Sequence, residues 1–490
     1  MSLLPYAFAK RQGIVLAADS GAELTAFHLS DVSYHALLEV SRLQGMSVKF
    51  SPVNEQKFNE LLSQCYQDNA GQSHEAADFL QNGIDLAGLV DRLPEPEDLL
   101  DVSDEAPVIR LINALLAEAI RENVSDIHIE PGEAFVAVRF RIDGVLRDVI
   151  SPDQALAPLL VSRIKIMAKL DIAEKRVPQD GRITLRVGGH SIDVRVSTLP
   201  GSHGERLVLR ILDKKQTLFA LTQMGMTDLQ VEATKDIIAQ SHGIVLVTGP
   251  TGSGKTTTLY AMLNQMNKQQ KNIITIEDPV EYQLEGVSQT PVNHKVDLSF
   301  SHGLRAILRQ DPDVIMVGEI RDRETADIAV QASLTGHLVI STLHTNTAIG
   351  AVTRLRDMGI EPFLLSSSMI GVIAQRLVRV LCEHCKQEIE VSASDLRRVD
   401  RHYSGDKKQT VYAPSGCSEC NDVGYKGRTG VFEVIRLDKE LQQMLHEDKG
   451  EMDLQAYAHQ QSPSLQSDVI RLILSGKTSI EEGLRISTEC

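Results

Sequence analysis

Gly249-Pro250-Thr251-Gly252-Ser253-Gly254-Lys255-Thr256 fits the template G-x-x-x-x-G-K-[ST] at every fixed position. The run before it, Gly243-Ile244-Val245-Leu246-Val247-Thr248, is short and rich in β-branched residues, as a buried strand feeding such a loop requires. Thr257 to Met266 reads as the helix that follows. Between strand and helix, glycines let successive backbone N–H groups turn inward, and the helix N-terminus adds its positive dipole end. The stretch Gly249, Pro250, Thr251, Gly252, Ser253, Gly254, Lys255, Thr256 and Thr257 is therefore expected to cradle the phosphates of a nucleoside triphosphate. Lys255 is expected to reach the β- and γ-phosphates and Thr256 to offer its hydroxyl to Mg2+. The rival reading is a glycine-rich turn without a ligand.

From about residue 216 helical and strand patterns alternate, which predicts an α/β domain built on a mostly parallel sheet. The expected strands are Gly243 to Thr248, Ile273 to Ile276, Val314 to Val317 and Leu338 to Leu343. Glu277-Asp278-Pro279-Val280-Glu281 follows the second, Gly318-Glu319 the third and His344 the fourth. Open α/β sheets bind ligands beyond the carboxyl ends of their strands, so these side chains are expected to converge on Lys255. Hydrolysis of a γ-phosphate needs a held water, a metal and positive charge for the developing anion. Glu319 is assigned to organise the metal and Glu277 to activate the water, with the reverse assignment left open. His344 is a candidate γ-phosphate sensor, weighed against a structural histidine. Arg305, Arg309, Arg321 and Arg323 are candidate sources of charge, weighed against an ordinary solvated helix surface.

Upstream, residues 1–90 mix short strand-like and helix-like runs without a cluster of catalytic types, and read as a small interaction domain whose Cys65 is a packing residue. Residues 91–105 carry the acidic, proline-bearing Asp91-Arg92-Leu93-Pro94-Glu95-Pro96-Glu97-Asp98 and read as a linker. A second domain spans 106–215: a helix over Val108 to Ile120, then alternating strands at Asp126 to Pro131, Val136 to Ile142, Arg182 to Val187, Ser191 to Val196 and Arg206 to Ile211. One face of these strands is apolar and the other displays arginines. Surface solvation accounts for many of them; a second reading is that some reach a triphosphate held by the next domain or subunit.

A chain of 490 residues suggests three or four domains at roughly 150 residues each. The balance of 66 acidic to 50 basic residues, net −16, disfavours generic binding of a nucleic-acid backbone. Aromatics are 4% with no tryptophan, so the base-stacking platform of a nucleic-acid translocase is not expected. No apolar run approaches the ~18 residues of a membrane span, and the N-terminus is too short in apolar residues for a secretory signal, so a cytosolic chain is expected. Cys382-Glu383-His384-Cys385 and Cys417-Ser418-Glu419-Cys420 are paired C-x-x-C knuckles, about thirty residues apart. Cys382, Cys385, Cys417 and Cys420 are expected to close a structural Zn2+ site, with a redox dithiol as the rival.

With these motifs placed, the chain resembles the secretion ATPases of type II secretion and their type IV pilus assembly kin. The carriers are Ser125-Asp126-Ile127-His128-Ile129-Glu130-Pro131, Arg176-Val177-Pro178-Gln179-Asp180-Gly181-Arg182, the loop at 249–256 and Ile276-Glu277-Asp278-Pro279-Val280-Glu281, similar to the family's Asp box. Gly318-Glu319-Ile320-Arg321-Asp322 is similar to its atypical Walker B, and Thr335-Gly336-His337 with Ser341-Thr342-Leu343-His344-Thr345-Asn346 to its His box. The resemblance implies a RecA-like P-loop ATPase core over 216–380 and, before it, an α+β PAS-like domain and the small N-terminal domain. It implies a tetracysteine insert over 381–425 and a C-terminal helical segment over 426–490. It adds His337 to the candidates and places the family's inter-domain arginines on Arg195 and Arg210. It further implies ATP hydrolysis by a homohexamer on the cytoplasmic face of the inner membrane, acting on an assembly platform to drive pseudopilus assembly and protein export. Residues 1–90 are expected to dock on the cytoplasmic domain of an inner-membrane secretion protein, since Leu4-Pro5-Tyr6-Ala7-Phe8-Ala9-Lys10 resembles the start of type II members. A pilus extension ATPase is the alternative, and a nucleic-acid translocase a more distant one.

Overall fold

The structure, a computed structural model, describes residues 106–187, 190–213 and 220–488 with short stretches between 14 and 58. The readings of Cys65, of the first thirteen residues and of the linker 91–105 lie outside the described residues. By contacts the chain divides into two units, Met1–Gln216 and Thr217–Cys490. In the first, Ile14–Ala18 (β1) pairs antiparallel with Leu24–His28 (β2), and Lys49–Pro52 (β3) joins β2 in parallel.

The alternation read between 126 and 211 builds a six-stranded antiparallel sheet. Its strands are Asp126–Pro131 (β4), Val136–Ile142 (β5), Val145–Ile150 (β6), Gln179–Val187 (β7), His190–Gly201 (β8) and Gly204–Asp213 (β9), ordered β6-β5-β4-β9-β8-β7. Because strand side chains alternate between faces, Ile127, Ile129, Val138, Phe140, Val194, Val196, Leu207 and Leu209 all fall on one side. There they bury against the helices Ala106–Arg121 and Ala157–Met167. On the other side the register sets Arg182 opposite Arg195, Arg195 opposite Arg210, Arg210 opposite Asp126, and Asp126 opposite Arg141.

The second unit is centred on a seven-stranded sheet. Its strands are Gly243–Thr248 (β10), Ile273–Glu277 (β11), Ser288–Pro291 (β12), Val314–Val317 (β13), Leu338–Leu343 (β14), Met369–Leu381 (β15) and, after the two short strands given below, Tyr425–Arg436 (β18). The order is β12-β11-β13-β14-β10-β15-β18, parallel throughout except for β18, which runs antiparallel to β15. All six residues of β10 are buried; Ile244 and Leu246 enter one apolar cluster, Val245 and Val247 the opposite one. That is the signature of a sheet covered by helices on both faces. Helices Asp228–Ile238 and Lys255–Gln265 line one side, and Phe300–Ile307, Arg323–Leu334 and Ala348–Asp357 the other.

The four expected parallel strands are present with ends shifted by at most one residue. The stretch read as a C-terminal helical segment is corrected at its start: β18 completes the central sheet before the helices Lys439–His446, Glu451–Gln461, Leu465–Leu474 and Ile480–Thr488 follow. Between β15 and β18 lies an excursion with a hairpin of Gln387–Val391 (β16) and Gln409–Ala413 (β17). Among the described residues no helix is long and apolar enough to cross a membrane.

Candidate active site and metal centre

The loop after β10 is shaped by glycines at φ values closed to most side chains, 149° at Gly249, 79° at Gly252 and 88° at Gly254. A Cβ on Gly249 would stand 2.4 Å from the Gln375 carbonyl oxygen, and one on Gly254 would stand 2.8 Å from the Gln375 amide nitrogen. Gln375, on β15 beside the loop strand, thus forms the back wall of the cradle. Its amide oxygen also accepts from Thr258 Oγ1 at 2.6 Å, which ties the wall to the first turn of the helix.

Lys255, the first residue of that helix, is 9% exposed. Its Nζ donates to the carbonyls of Gly249 at 2.7 Å and Pro250 at 3.0 Å and lies 3.5 Å from His344 Nδ1. Burial pulls its pKa down to about 8, against the pull of Glu319. Ser253 Oγ is buried in the same loop without a hydrogen-bond partner. A cradle closed to a Cβ at Gly249 and Gly254, a buried ammonium and an orphaned hydroxyl together fit a polyanionic ligand. Thr256 is exposed at the cradle mouth and Thr257 half-buried.

Glu319 follows β13 and is one residue removed from Gly318, whose N–H donates to the Ile276 carbonyl at 2.8 Å. Its carboxylate pairs with Arg321 and lies 3.5 Å from His344 Nε2. Burial, then Lys255, holds the His344 pKa below its ordinary value, so the ring is neutral near neutral pH. The tautomer that serves both neighbours carries its proton on Nε2, donates toward Glu319 and accepts from Lys255 through Nδ1. The loop bearing His344 is fixed by Thr248, whose hydroxyl meets Thr345 Oγ1 at 2.6 Å and accepts from Thr345 N at 2.9 Å.

Glu277 ends β11, next to β13 in the sheet, and is 3% exposed. Its carboxylate accepts from Tyr260 Oη, from Thr275 Oγ1 at 2.6 Å and from Gln289 Nε2 at 3.1 Å. The sheet therefore brings Lys255, Glu319 and His344 together and sets Glu277 at the adjoining strand end.

His337 is corrected. It precedes β14 whereas His344 follows it, and β14 runs parallel to β10 with Leu338 opposite Gly243, so His337 stands at the far end of the sheet from the phosphate loop. Its Nδ1 bonds the Ala332 carbonyl at 2.9 Å. Of the four arginines near Glu319, Arg321 alone pairs with it; Arg305 pairs with Glu324 at 2.7 Å, Arg323 with Asp327 at 3.5 Å, and Arg309 bonds the Arg305 carbonyl.

Arg195 and Arg210 lie in the first unit, side by side on neighbouring strands. Arg210 is 60% exposed, with its Nε on Asp126 Oδ1 at 2.8 Å. Like charges directly opposite across strands oppose one another. Carboxylates interleave the row of Arg182, Arg195 and Arg210: Arg182 lies 3.8 Å from Asp193, as Arg210 lies on Asp126, so the face carries mixed charge.

The four knuckle cysteines place their sulfurs within 4.8 Å of one another, with Cys382 to Cys417 at 3.9 Å and Cys385 to Cys420 at 3.7 Å. Tetrahedral zinc with bonds of ~2.3 Å sets sulfurs about 3.8 Å apart, so the donor set fits that ion. Backbone N–H groups of Gly416 and Gly424 point at Cys385 Sγ and Cys420 Sγ at 3.3 and 3.2 Å, as outer partners of metal thiolates do.

Residues 101–485 match the model of the type II/IV secretion system protein family. The chain belongs to that family. Residues 3–66 match the model of an N-terminal domain of GSPII protein E. Over 486 residues the chain is 53% identical to type II secretion system protein E of Aeromonas hydrophila, covering 99% of this chain and 96% of that one. It is 50% identical over 490 residues to type II secretion system ATPase E of Vibrio cholerae, covering 99% and 97%. Among solved structures it is similar to the pilus retraction motor PilT with bound ADP, at 25% identity and a TM-score of 0.51 over 76% of this chain and 95% of PilT. The Legionella pneumophila ATPase DotB shares the fold at 21% identity, with a TM-score of 0.57 over 77% of this chain and 95% of DotB. As a type II/IV secretion system protein the chain is a P-loop ATPase.

Sequence reading passed over four polar residues at this site: Tyr260, Gln289, Gln375 and Arg376. Arg376 is 2% exposed and bonds the carbonyl and Oδ1 of Asn346 at 3.2 and 3.0 Å. The one available signal was a Gln-Arg pair inside the otherwise apolar Met369-Ile370-Gly371-Val372-Ile373-Ala374-Gln375-Arg376-Leu377-Val378. A polar pair in a buried strand needs partners, and Thr258 of the helix after the phosphate loop and Asn346 of the His344 loop supply them.

Proposed function

We propose that the chain hydrolyses ATP on the loop 249–257 and uses the energy to drive pseudopilus assembly and protein export at the inner membrane. The observation that carries this reading is the meeting of Lys255, Glu319 and His344 at the edge of the parallel sheet. Arrival of phosphate gives the Lys255 ammonium an anionic partner in place of two loop carbonyls. Thr256 and Glu319 are the residues that would hold Mg2+, whose chemistry is to neutralise charge on the β- and γ-oxygens. Glu277 holds the attacking water and takes its proton, and His344 lies within reach of the terminal phosphate side of Lys255. Arg195 and Arg210 close on the triphosphate of a neighbouring subunit in a homohexameric ring. Cys382, Cys385, Cys417 and Cys420 hold a structural Zn2+ with no open position for catalysis.

The match of residues 3–66 to an N-terminal domain of GSPII protein E supports a docking role for residues 1–90 on the cytoplasmic domain of an inner-membrane secretion protein. That contact keeps the ATPase on the cytoplasmic face of the membrane. The units proposed are that docking domain, the linker 91–105, the 106–215 domain, the ATPase core from 216, and the insert 381–425. Full-length relatives named for type II secretion support that branch over pilus extension.

The site is tested by turnover of purified protein. Lys255→Ala and Glu319→Gln are expected to fold as native and to lose at least ~10²-fold in ATPase rate, the scale of losing one preorganised charge. Near-native turnover in either variant overturns the assignment.

A further inference from the structure

The carboxylate of Glu277 is held by an arrangement that no part of the phosphate loop motif requires. Residues of a strand alternate between faces, so Ile274 and Ile276 enter one core while Thr275 and Glu277 turn to the other, toward the helix Lys255–Gln265. Thr275 lies opposite Gln289 in the register of β11 and β12, which sets that amide on the same face. Tyr260 comes from the helix itself, five residues after Lys255, and is fully buried. A charged group in such a place is costly unless its lone pairs are met.

They are met selectively. Glu277 Oε1 accepts from Thr275 and Gln289, while Oε2 accepts from Tyr260 alone. A carboxylate offers about four acceptor sites, so three donors leave one, on Oε2. Gln289 is fixed in turn, its Nε2 reaching the Tyr282 carbonyl at 3.2 Å and its Oε1 accepting from Leu284 N at 2.7 Å. Tyr260 Oη also accepts from Glu281 N at 3.4 Å, so its own proton is directed at Glu277. Burial and the adjacent Glu277 push the Tyr260 phenol far above its ordinary pKa, which keeps it a donor.

We propose that Tyr260 and Gln289 are positioning residues that fix the Glu277 carboxylate with one acceptor site of Oε2 open for the attacking water. Tyr260 rides on the helix that carries Lys255, so the aim of Oε2 follows the element that holds the phosphates. The inference rests on the assignment of Glu277 as the water-activating residue and adds to it the groups through which the aim is set.

Single-turnover hydrolysis at saturating ATP is measured for the full chain and for Tyr260→Phe, Gln289→Leu, Glu277→Gln and the double variant Tyr260→Phe/Glu277→Gln, with ATP affinity measured alongside. Tyr260→Phe removes one oxygen atom and keeps the ring, so the fold and ATP affinity are expected to stay within about two-fold of native. The rate is expected to fall ~10–100-fold, as the loss of a hydrogen bond to a charged group predicts. Gln289→Leu is expected to fall in the same direction. Because both act through Glu277, adding Tyr260→Phe to Glu277→Gln is expected to cost no further rate. Equal losses from Tyr260→Phe with and without Glu277, or a Tyr260→Phe rate within about two-fold of native, overturn the positioning role. A Glu277→Gln rate close to native overturns the base assignment instead.

Discussion

Lys255 is the residue on which the site turns, and its surroundings make a prediction about the ligand-free protein. Burial lowers its pKa from 10.5 to about 8, so between those values the unfolded chain binds the proton more tightly than the native one. Stability attached to this group is highest above pH 10.5 and is lost as pH falls through that window toward 8. Lys255→Met removes the liability. Denaturant unfolding without nucleotide is expected to show the variant more stable than native below pH 8, with the difference shrinking as pH rises to 10.5; a difference constant with pH contradicts the assignment. Single residues of the loop, of Glu319 and of the knuckles were legible because each type at its spacing has a chemical requirement. His337 was misread because a box written as one motif spans a strand, and the two ends of a strand six residues long are ~20 Å apart. Tyr260 and Gln289 carry no signal of their own; only the register of β11 with β12 and the turn of the helix bring them to Glu277.

At the scale of elements, the parallel strands were readable from apolar runs that end in polar chemistry. β15 was not, because Gln375, Arg376 and Arg379 interrupt the apolar run of its thirteen residues. β18 was hidden behind the cysteine insert, and its pairing with β15 is a contact across more than forty residues that periodicity does not encode. The insert is nevertheless the element with the sharpest test. Its fold among the described residues relies on β16, β17, short helices and four sulfurs within 4.8 Å. Structural zinc contributes on the order of 10–16 kcal/mol in small peptides, so Cys382→Ser is expected to lose the metal and to loosen 381–425. Elemental analysis and hydrogen exchange measure both; native protein without about one zinc per chain contradicts the centre.

The whole molecule joins an arginine row in one unit to a phosphate loop in the other, and the proposal is that these meet between subunits of a ring. Arg182, Arg195 and Arg210 stand opposite one another on adjacent strands, with Asp193 beside Arg182 and Asp126 beside Arg210, and the Arg210 side chain is 60% exposed. Removal of an arginine finger costs ~10³–10⁵ in rate, so Arg210→Ala alone is expected to be nearly inactive. Lys255→Ala is inactive for a different reason, since it keeps the arginine and loses the phosphate cradle. The deciding measurement is the ATPase rate of the two inactive proteins mixed at high concentration. A shared site predicts that activity returns, toward about a quarter of native in a random equimolar ring, because each native interface pairs an intact loop with an intact arginine. A mixture as inactive as its components contradicts sites completed by the neighbouring subunit.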